Sequence, residues 1–236
     1  LYFIPRPAKT IEPGHYRVCL ARAAVQETLS MMAWGGFGLK SQRTGQSPLQ
    51  RLQQGEASLH PSVSLAEHNA RGLMPSFTPQ GFAVSDRVAL IEAGTHGDAL
   101  VDSRSAQEFD VAVNAAGEWP SSLDMAPGDL PNAGVLDALG TGLFINNLWY
   151  LNYSDRNDAR ITGMTRFACW WVEDGRIQAP VNVMRFDDSI YRMFGEQLLG
   201  LTQERELLLD TGTYGGRSTG SVQLPGALID QLRFTL

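Results

Sequence analysis

Residues 142–200 read GLFINNLWYLNYSDRNDARITGMTRFACWWVEDGRIQAPVNVMRFDDSIYRMFGEQLLG, and this stretch decides the fold. Seven aromatic residues fall between Phe144 and Trp171, a density that marks core. Glu173-Asp174-Gly175-Arg176 sits between two apolar runs, and Asp-Gly tolerates the positive φ values of a type I′ turn. The turn predicts a hairpin pairing 164–173 with 176–185. Counting outward, Val172 opposes Ile177, Trp170 opposes Ala179 and Ala168 opposes Val181, which makes one face wholly apolar. Phe167, Trp171 and Glu173 share the other face with Asn182, Gln178 and Arg176, a mixed set. Pro180 cannot donate to a ladder, so it predicts an edge or a bulge at that point. Beyond the hairpin, Asp187-Asp188-Ser189 offers capping residues, Ile190, Met193, Phe194 and Leu198 follow at helical spacing, and Gly200 is a stop.

Working outward, Tyr16 to Leu20 reads as a strand and Ala21 to Trp34 as a helix with Val25, Leu29 and Met32 on one face. Gly35-Gly36-Phe37-Gly38 ends that helix instead of opening one, so it lacks the context of a phosphate-cradling loop. Residues 41–62 read as loop with a short helix, and 69–82 as irregular loop. Val88–Glu92 and Gly97–Val101 form a hairpin about Gly94, and Ser103 to Phe109 is a short helix. The three prolines in 114–132 predict loop. Gly134 to Leu139 is a brief helix, Glu206 to Asp210 a short buried strand, Thr211 to Thr219 a glycine-rich loop, and two last strands cover 220–224 and 229–236. The chain opens without Met on a strand-like Leu1-Tyr2-Phe3-Ile4 that stops at Pro5, which suggests that an N-terminal portion precedes it. The expected fold is α+β: one mostly antiparallel β domain spanning residues 1–236, sandwich- or barrel-like, with a few short helices packed on it.

Composition narrows function by exclusion. A net charge of −6, from 19 Lys+Arg against 25 Asp+Glu, with no basic stripe, argues against a nucleic-acid surface. No apolar run reaches the roughly 18 residues of a membrane span, and no signal-peptide pattern occurs, so the expectation is a cytoplasmic protein without a membrane partner. Cys19 and Cys169 lie far apart in apolar runs and read as buried thiols, with a disulfide as the alternative.

None of His15, His60, His68 and His96 sits in an H-E-x-x-H or H-E-x-x-x-H arrangement, and no G-x-S-x-G elbow exists. Charge crowds at Asp155-Arg156-Asn157-Asp158 and Arg160. A solvated loop explains that crowding; the sharper reading is a cleft in which Ser154, Arg156, Thr162 and Arg166 hold a ligand's backbone or carboxylate.

Several segments occur in a telling order: PSFTPQG at 75–81, VALIEAGTHGDALVDSRSA at 88–106, GTGLFI at 140–145, NYSDR at 152–156, TG at 162–163, FACWWVEDGRI then APVNVM at 167–184, and SVQLP at 221–225. Together they resemble the C-terminal domain of the TldD/PmbA family, proteins classed as metalloproteases and, historically, as modulators of DNA gyrase. The resemblance runs from about Tyr16 onward and rests on collinear order more than on any one motif. It implies heterodimers in which a TldD-type subunit carries a zinc-binding H-E-x-x-x-H helix in its N-terminal domain, while a PmbA or TldE subunit lacks it and helps to enclose unfolded peptides. This chain looks like the second kind, with zinc expected on a TldD-like partner and no cofactor in the chain itself. In the catalytic subunit a cysteine near the end is a third zinc ligand; aligning SVQLP places Thr219 near that position, and Thr is a poor zinc ligand. Thr219 thereby joins the candidate cleft residues, and edge strands become candidates for pairing with peptide backbone. The charge balance gives the DNA-gyrase name no support as evidence of DNA contact. Two alternatives stay open. One is a structural or binding module that homodimerises through the Phe167/Trp171 face. The other is a self-contained hydrolase using non-local groups such as His96, Asp155 and Ser154.

Overall fold

A computed structural model describes residues 6–235. The strand-like opening at Leu1–Ile4, Pro5 and the final Leu236 lie outside the described residues. In chain order the first elements are β1 (Gly14–Leu20), α1 (Arg22–Ala33), α2 (Leu39–Arg43), α3 (Gln50–Gln53), β2 (Leu65–Glu67), β3 (Val88–Glu92), β4 (Thr95–His96) and α4 (Ser103–Phe109). Then come β5 (Ser122–Met125), α5 (Val135–Leu139), β6 (Gly142–Ile145), β7 (Asn147–Asp155), β8 (Arg160–Arg166), β9 (Trp170–Glu173) and β10 (Arg176–Pro180). The rest are β11 (Arg185–Ser189), β12 (Leu198–Leu201), β13 (Glu206–Leu209), β14 (Ser221–Leu224) and β15 (Ala227–Phe234). Strand makes up 36% and helix 20%, so the α+β, β-dominated class stands.

These elements form two compact units, and the chain passes between them at 31/32, 126/127, 205/206 and 224/225. The first unit holds a sheet ordered β10-β9-β6-β1-β15-β11-β8-β7, with β12 paired onto β15. All of its pairings are antiparallel except β1 with β6. β8 ends at Arg166 and β9 starts at Trp170, yet they lie near opposite ends of this order. Four residue steps span at most about 14 Å, so the sheet must curl until its ends approach. Cys19, Val135, Leu139, Val172 and Leu228 make one buried cluster inside it, over which α5 packs.

The predicted hairpin exists with a break in its middle. Asp174 (φ 49°) and Gly175 (φ 71°) make the turn, and Val172 opposes Ile177 as counted. A bulge then shifts the register, so that Trp171 opposes Ala179 and Trp170 opposes Pro180. Pro180 ends β10, the edge strand, where a missing N–H costs least. Residues 167–169 leave the ladder, yet pairing resumes in the register that the turn sets, with Arg185 opposite Met164 and Phe186 opposite Gly163.

The helix expected over 190–198 is corrected to one short, widened turn. Its wide part covers Arg192–Glu196, with Gly195 at φ −107°, ψ −113°, and Leu198 already belongs to β12. Buried Asp188 holds this turn by accepting from Arg192 Nε (3.0 Å) and from the N–H groups of Ser189 (2.8 Å) and Arg233 (3.1 Å).

The second unit holds the sheet β13-β14-β5-β2-β3-β4, antiparallel except for β14 with β5. Ala93 (φ 46°) and Gly94 (φ 78°) make the predicted turn, but β4 is Thr95–His96 directly after it and the strand expected over 97–101 does not form. α4 spans the predicted residues, capped by Asp102, whose side chain accepts from the Arg104 and Ser105 N–H groups. Two further expectations fail here. Residues 114–132 are not all loop, because Ser122–Met125 forms the fully buried strand β5. Glu206–Leu209 is not buried: β13 is the sheet's edge, with Leu207 and Leu209 43% and 49% exposed.

Candidate functional site

Side chains alternate in and out along a strand, so β8 carries Thr162, Met164 and Arg166 outward while Ile161, Gly163 and Thr165 are buried. The neighbouring strands extend this outer face. Trp149 of β7 and Arg185 of β11 both stand opposite Met164, and Asn147 stands opposite Arg166. The Arg166 guanidinium lies 3.7 Å from the Trp149 ring centre and 4.5 Å from that of Phe167, a cation held between two aromatic rings. Arg185 Nε donates to Thr162 Oγ1 (3.2 Å), which in turn donates to the Phe186 carbonyl (2.9 Å). Among the described residues neither Arg166 nor Arg185 has a carboxylate within ion-pair distance, whereas Arg160, one row further, is paired with Asp187. Two guanidiniums without carboxylate partners among the described residues make this face locally positive in an acidic chain.

Beside Arg166 a hollow of about 250 Å³ is lined by Phe167, Cys169, Trp170, Pro180, Val181 and Val183, among others. Phe167 is 66% exposed at φ 51°, and Tyr150 on β7 is 77% exposed at φ 56°. Bulky residues in the left-handed region cost about 1–3 kcal/mol each and collect where a surface has a job beyond stability.

Two of the five candidates, Thr162 and Arg166, therefore share this face. Ser154 and Arg156 lie toward the turn of the β7–β8 hairpin, roughly 20 Å along the strands from Arg166, although Ser154 is only two residues, about 7 Å, beyond the Asn152–Thr162 pair. There Ser154 Oγ donates to the Arg160 carbonyl (3.4 Å) and Arg156 stacks on the Tyr153 ring (4.9 Å). Thr219 belongs to the second unit, where its hydroxyl donates to Met74 Sδ (2.7 Å). Arg185 and Trp149 were not singled out, although counting outward from the Asp174-Gly175 turn already sets Arg185 opposite Met164. Trp171 is half-buried, packed edge-on against Tyr16 (6.3 Å) under Lys9 (4.2 Å). Of the Phe167/Trp171 pair, then, Phe167 is the one that projects. Of the groups named for an independent hydrolase, Asp155 Oδ1 accepts from the Asn157 N–H (2.9 Å) in its own turn, and His96 Nε2 is buried without a hydrogen-bond partner among the described residues.

Both cysteines are buried free thiols, with Cys19 pushed up to about 12 by burial and Cys169 raised for the same reason. Zinc needs three or four converging His, Cys, Asp or Glu groups. Among the described residues no three such side chains converge, and the neutral hydroxyl of Thr219 is occupied by Met74. The described residues therefore do not fit a zinc ion.

The comparisons place the chain in a class: the C-terminal domain of a metallopeptidase family. Residues 13–236 match the family model for the PmbA/TldA metallopeptidase C-terminal domain, and the chain belongs to that family. Comparison with curated proteins gives no match. Solved structures with the same fold include TldE from Thermococcus kodakarensis, with a TM-score of 0.80 and 12% identity over 98% of this chain and 52% of that one. Two candidate modulators of DNA gyrase share it as well. The one from Thermotoga maritima has a TM-score of 0.75 and 17% identity over 97% of this chain and 51% of that one. The one from Bacteroides thetaiotaomicron has a TM-score of 0.75 and 16% identity over 97% and 48%. The chain thus spans about half the length of the solved structures it matches.

Proposed function

We propose that the chain is the C-terminal part of a non-catalytic, TldE-like subunit of a cytoplasmic TldD/PmbA-type metallopeptidase, and that it presents a binding surface for unfolded peptides while a zinc-bearing partner cuts them. The observation that carries this reading is the β7-β8-β11 face, where Arg166 and Arg185 lack carboxylate partners among the described residues and stand beside exposed Trp149 and Phe167. Such a face suits extended peptide with carboxylate and aromatic side chains and has no group poised to break a bond. The poor fit of Thr219 to a metal, in a chain of a metallopeptidase family, supports a division of labour between subunits.

The test mixes the whole chain, or its full-length parent, with a TldD-type homologue and follows hydrolysis of an unfolded polypeptide. Turnover is expected in the mixture, abolished by a zinc chelator, and absent with this chain alone. Arg166→Ala with Arg185→Ala should weaken peptide affinity about tenfold, equivalent to about 1.4 kcal/mol. Peptide cleavage by the metal-free chain alone would overturn the reading.

A further inference from the structure

The second unit contains a polar pocket that shares no residue with the β7-β8-β11 face. Ser122 of β5 and Ser221 of β14 are partners in parallel register, so their hydroxyls lie on the same face of the sheet. They are 2% and 4% exposed, and among the described residues neither Oγ has a hydrogen-bond partner. Gly72 covers them: a Cβ there would overlap Ser122 Oγ and lie 3.2 Å from Ser221 Oγ. His68 closes one side, with Nδ1 3.0 Å from Asp124 Oδ2, and Arg71 NH1 lies 3.2 Å from the same oxygen. The space enclosed is about 10 Å³.

A buried hydroxyl without a partner is destabilising, and native proteins rarely leave two side by side. A space of roughly 10–15 Å³ matches one water molecule and excludes a ligand with a second heavy atom. Both hydroxyls crowd the position that a Gly72 Cβ would take, so their oxygens fall within the roughly 5.6 Å that one water bridges with two bonds of about 2.8 Å. We propose that Ser122 and Ser221, beneath Gly72 and beside the His68–Asp124 pair, form a binding site for a single ordered water that ties β5 to β14. Water both donates and accepts, so it satisfies the two hydroxyls in whichever sense they rotate. A calcium-like cation would demand six or more oxygens at about 2.3–2.6 Å, which this wall does not supply. The link matters because β14 arrives from far along the chain and meets β5 through three register pairs, Ser221 to Gln223 with Ser122 to Asp124.

A crystal structure of the whole chain at a resolution that shows solvent should reveal one peak about 2.8 Å from both serine oxygens. No peak, or a peak at cation distances, overturns the proposal. Thermal unfolding gives an independent sign. If water serves both hydroxyls, Ser122→Ala and Ser221→Ala each lower Tm by about 2–4 °C. The double variant should then lose little more than the worse single one, because both share the same molecule. A rise in Tm in either single variant would mean a hydroxyl without any partner, and overturns it equally. Unchanged circular dichroism in each variant confirms that folded proteins are being compared.

Discussion

Glu67 is the clearest case of one residue holding unlike groups together. It is 4% exposed on β2, and its carboxylate accepts from the N–H groups of Ser121 and Ser122 at 3.0–3.1 Å, fixing the entry into β5. Burial raises its pKa above the ordinary 4.5, and the two N–H donors pull it down by less. The folded chain therefore binds this proton more tightly than the unfolded one. The contribution of Glu67 is complete below about pH 4.5 and declines as pH rises through the folded value. Glu67→Gln keeps an acceptor for the same N–H groups and removes the titration. Urea unfolding from pH 4 to 8 should show wild type losing stability relative to this variant as pH rises, and a constant difference would refute the assignment. The residue scale also shows what the sequence hid at the site. Arg166 and Thr162 were readable because charge and small polar groups crowd around the 155–166 turn and strand. Trp149 joins them only through strand pairing, and Tyr150 and Phe167 owe their prominence to positive φ values that no residue type announces. The Ser122, Ser221, His68 and Asp124 pocket draws on separate strands of three and four residues, too short to give a periodic signal.

Among the elements, the β9–β10 hairpin depends on one backbone conformation. Gly175 sits at φ 71°, and a Cβ there would come 2.7 Å from Asp137 Oδ1, beside α5. The Gly175 N–H donates to the Gly140 carbonyl (2.8 Å) and the Asp174 N–H to Thr141 Oγ1 (3.2 Å), so the turn is fastened and cannot relax outward. Gly175→Ala should cost about 1–2 kcal/mol from the left-handed conformation alone. Asp174→Asn, which tolerates the same region, should change stability by less than about 0.5 kcal/mol. Equal losses in denaturant melts of the two variants would show that the turn conformation is not what matters. This hairpin was legible because Asp-Gly names its own geometry; α4 was legible because Asp102 caps it, and α1 because its apolar stripe is long. β5 was not. Its Ser-Leu-Asp-Met sequence lies between Pro120 and Pro127, and its burial comes from neighbours β2 and β14 on either side. β13 misled in the opposite sense: three leucines in a row suggest a buried strand, yet its place at the edge leaves two of them half exposed. The turn at 190–196 has helical spacing but too few residues before β12 claims Leu198, and it widens to fit.

At the scale of the molecule, each unit is assembled from separated stretches: residues 6–31, 127–205 and 225–235 make one, and 32–126 with 206–224 make the other. The last stretch of chain is therefore shared out, with β13 and β14 in one sheet and β15 central in the other. Between β13 and β14 runs the glycine-rich segment 211–219, exposed throughout, with Arg217 within it and Gly215 and Gly216 at positive φ. Exposed, glycine-rich tips are where proteases enter first, and cleavage there removes no sheet hydrogen bond. Limited trypsin digestion of the whole chain should thus cut earliest after Arg217. The two pieces should remain together in native size exclusion and separate only in denaturant. β13 stays paired with β14 along four register positions, and β15 stays clamped between β1 and β11. If the C-terminal piece instead dissociates on nicking, the strands that follow Arg217 are held by the covalent chain and not by their sheets.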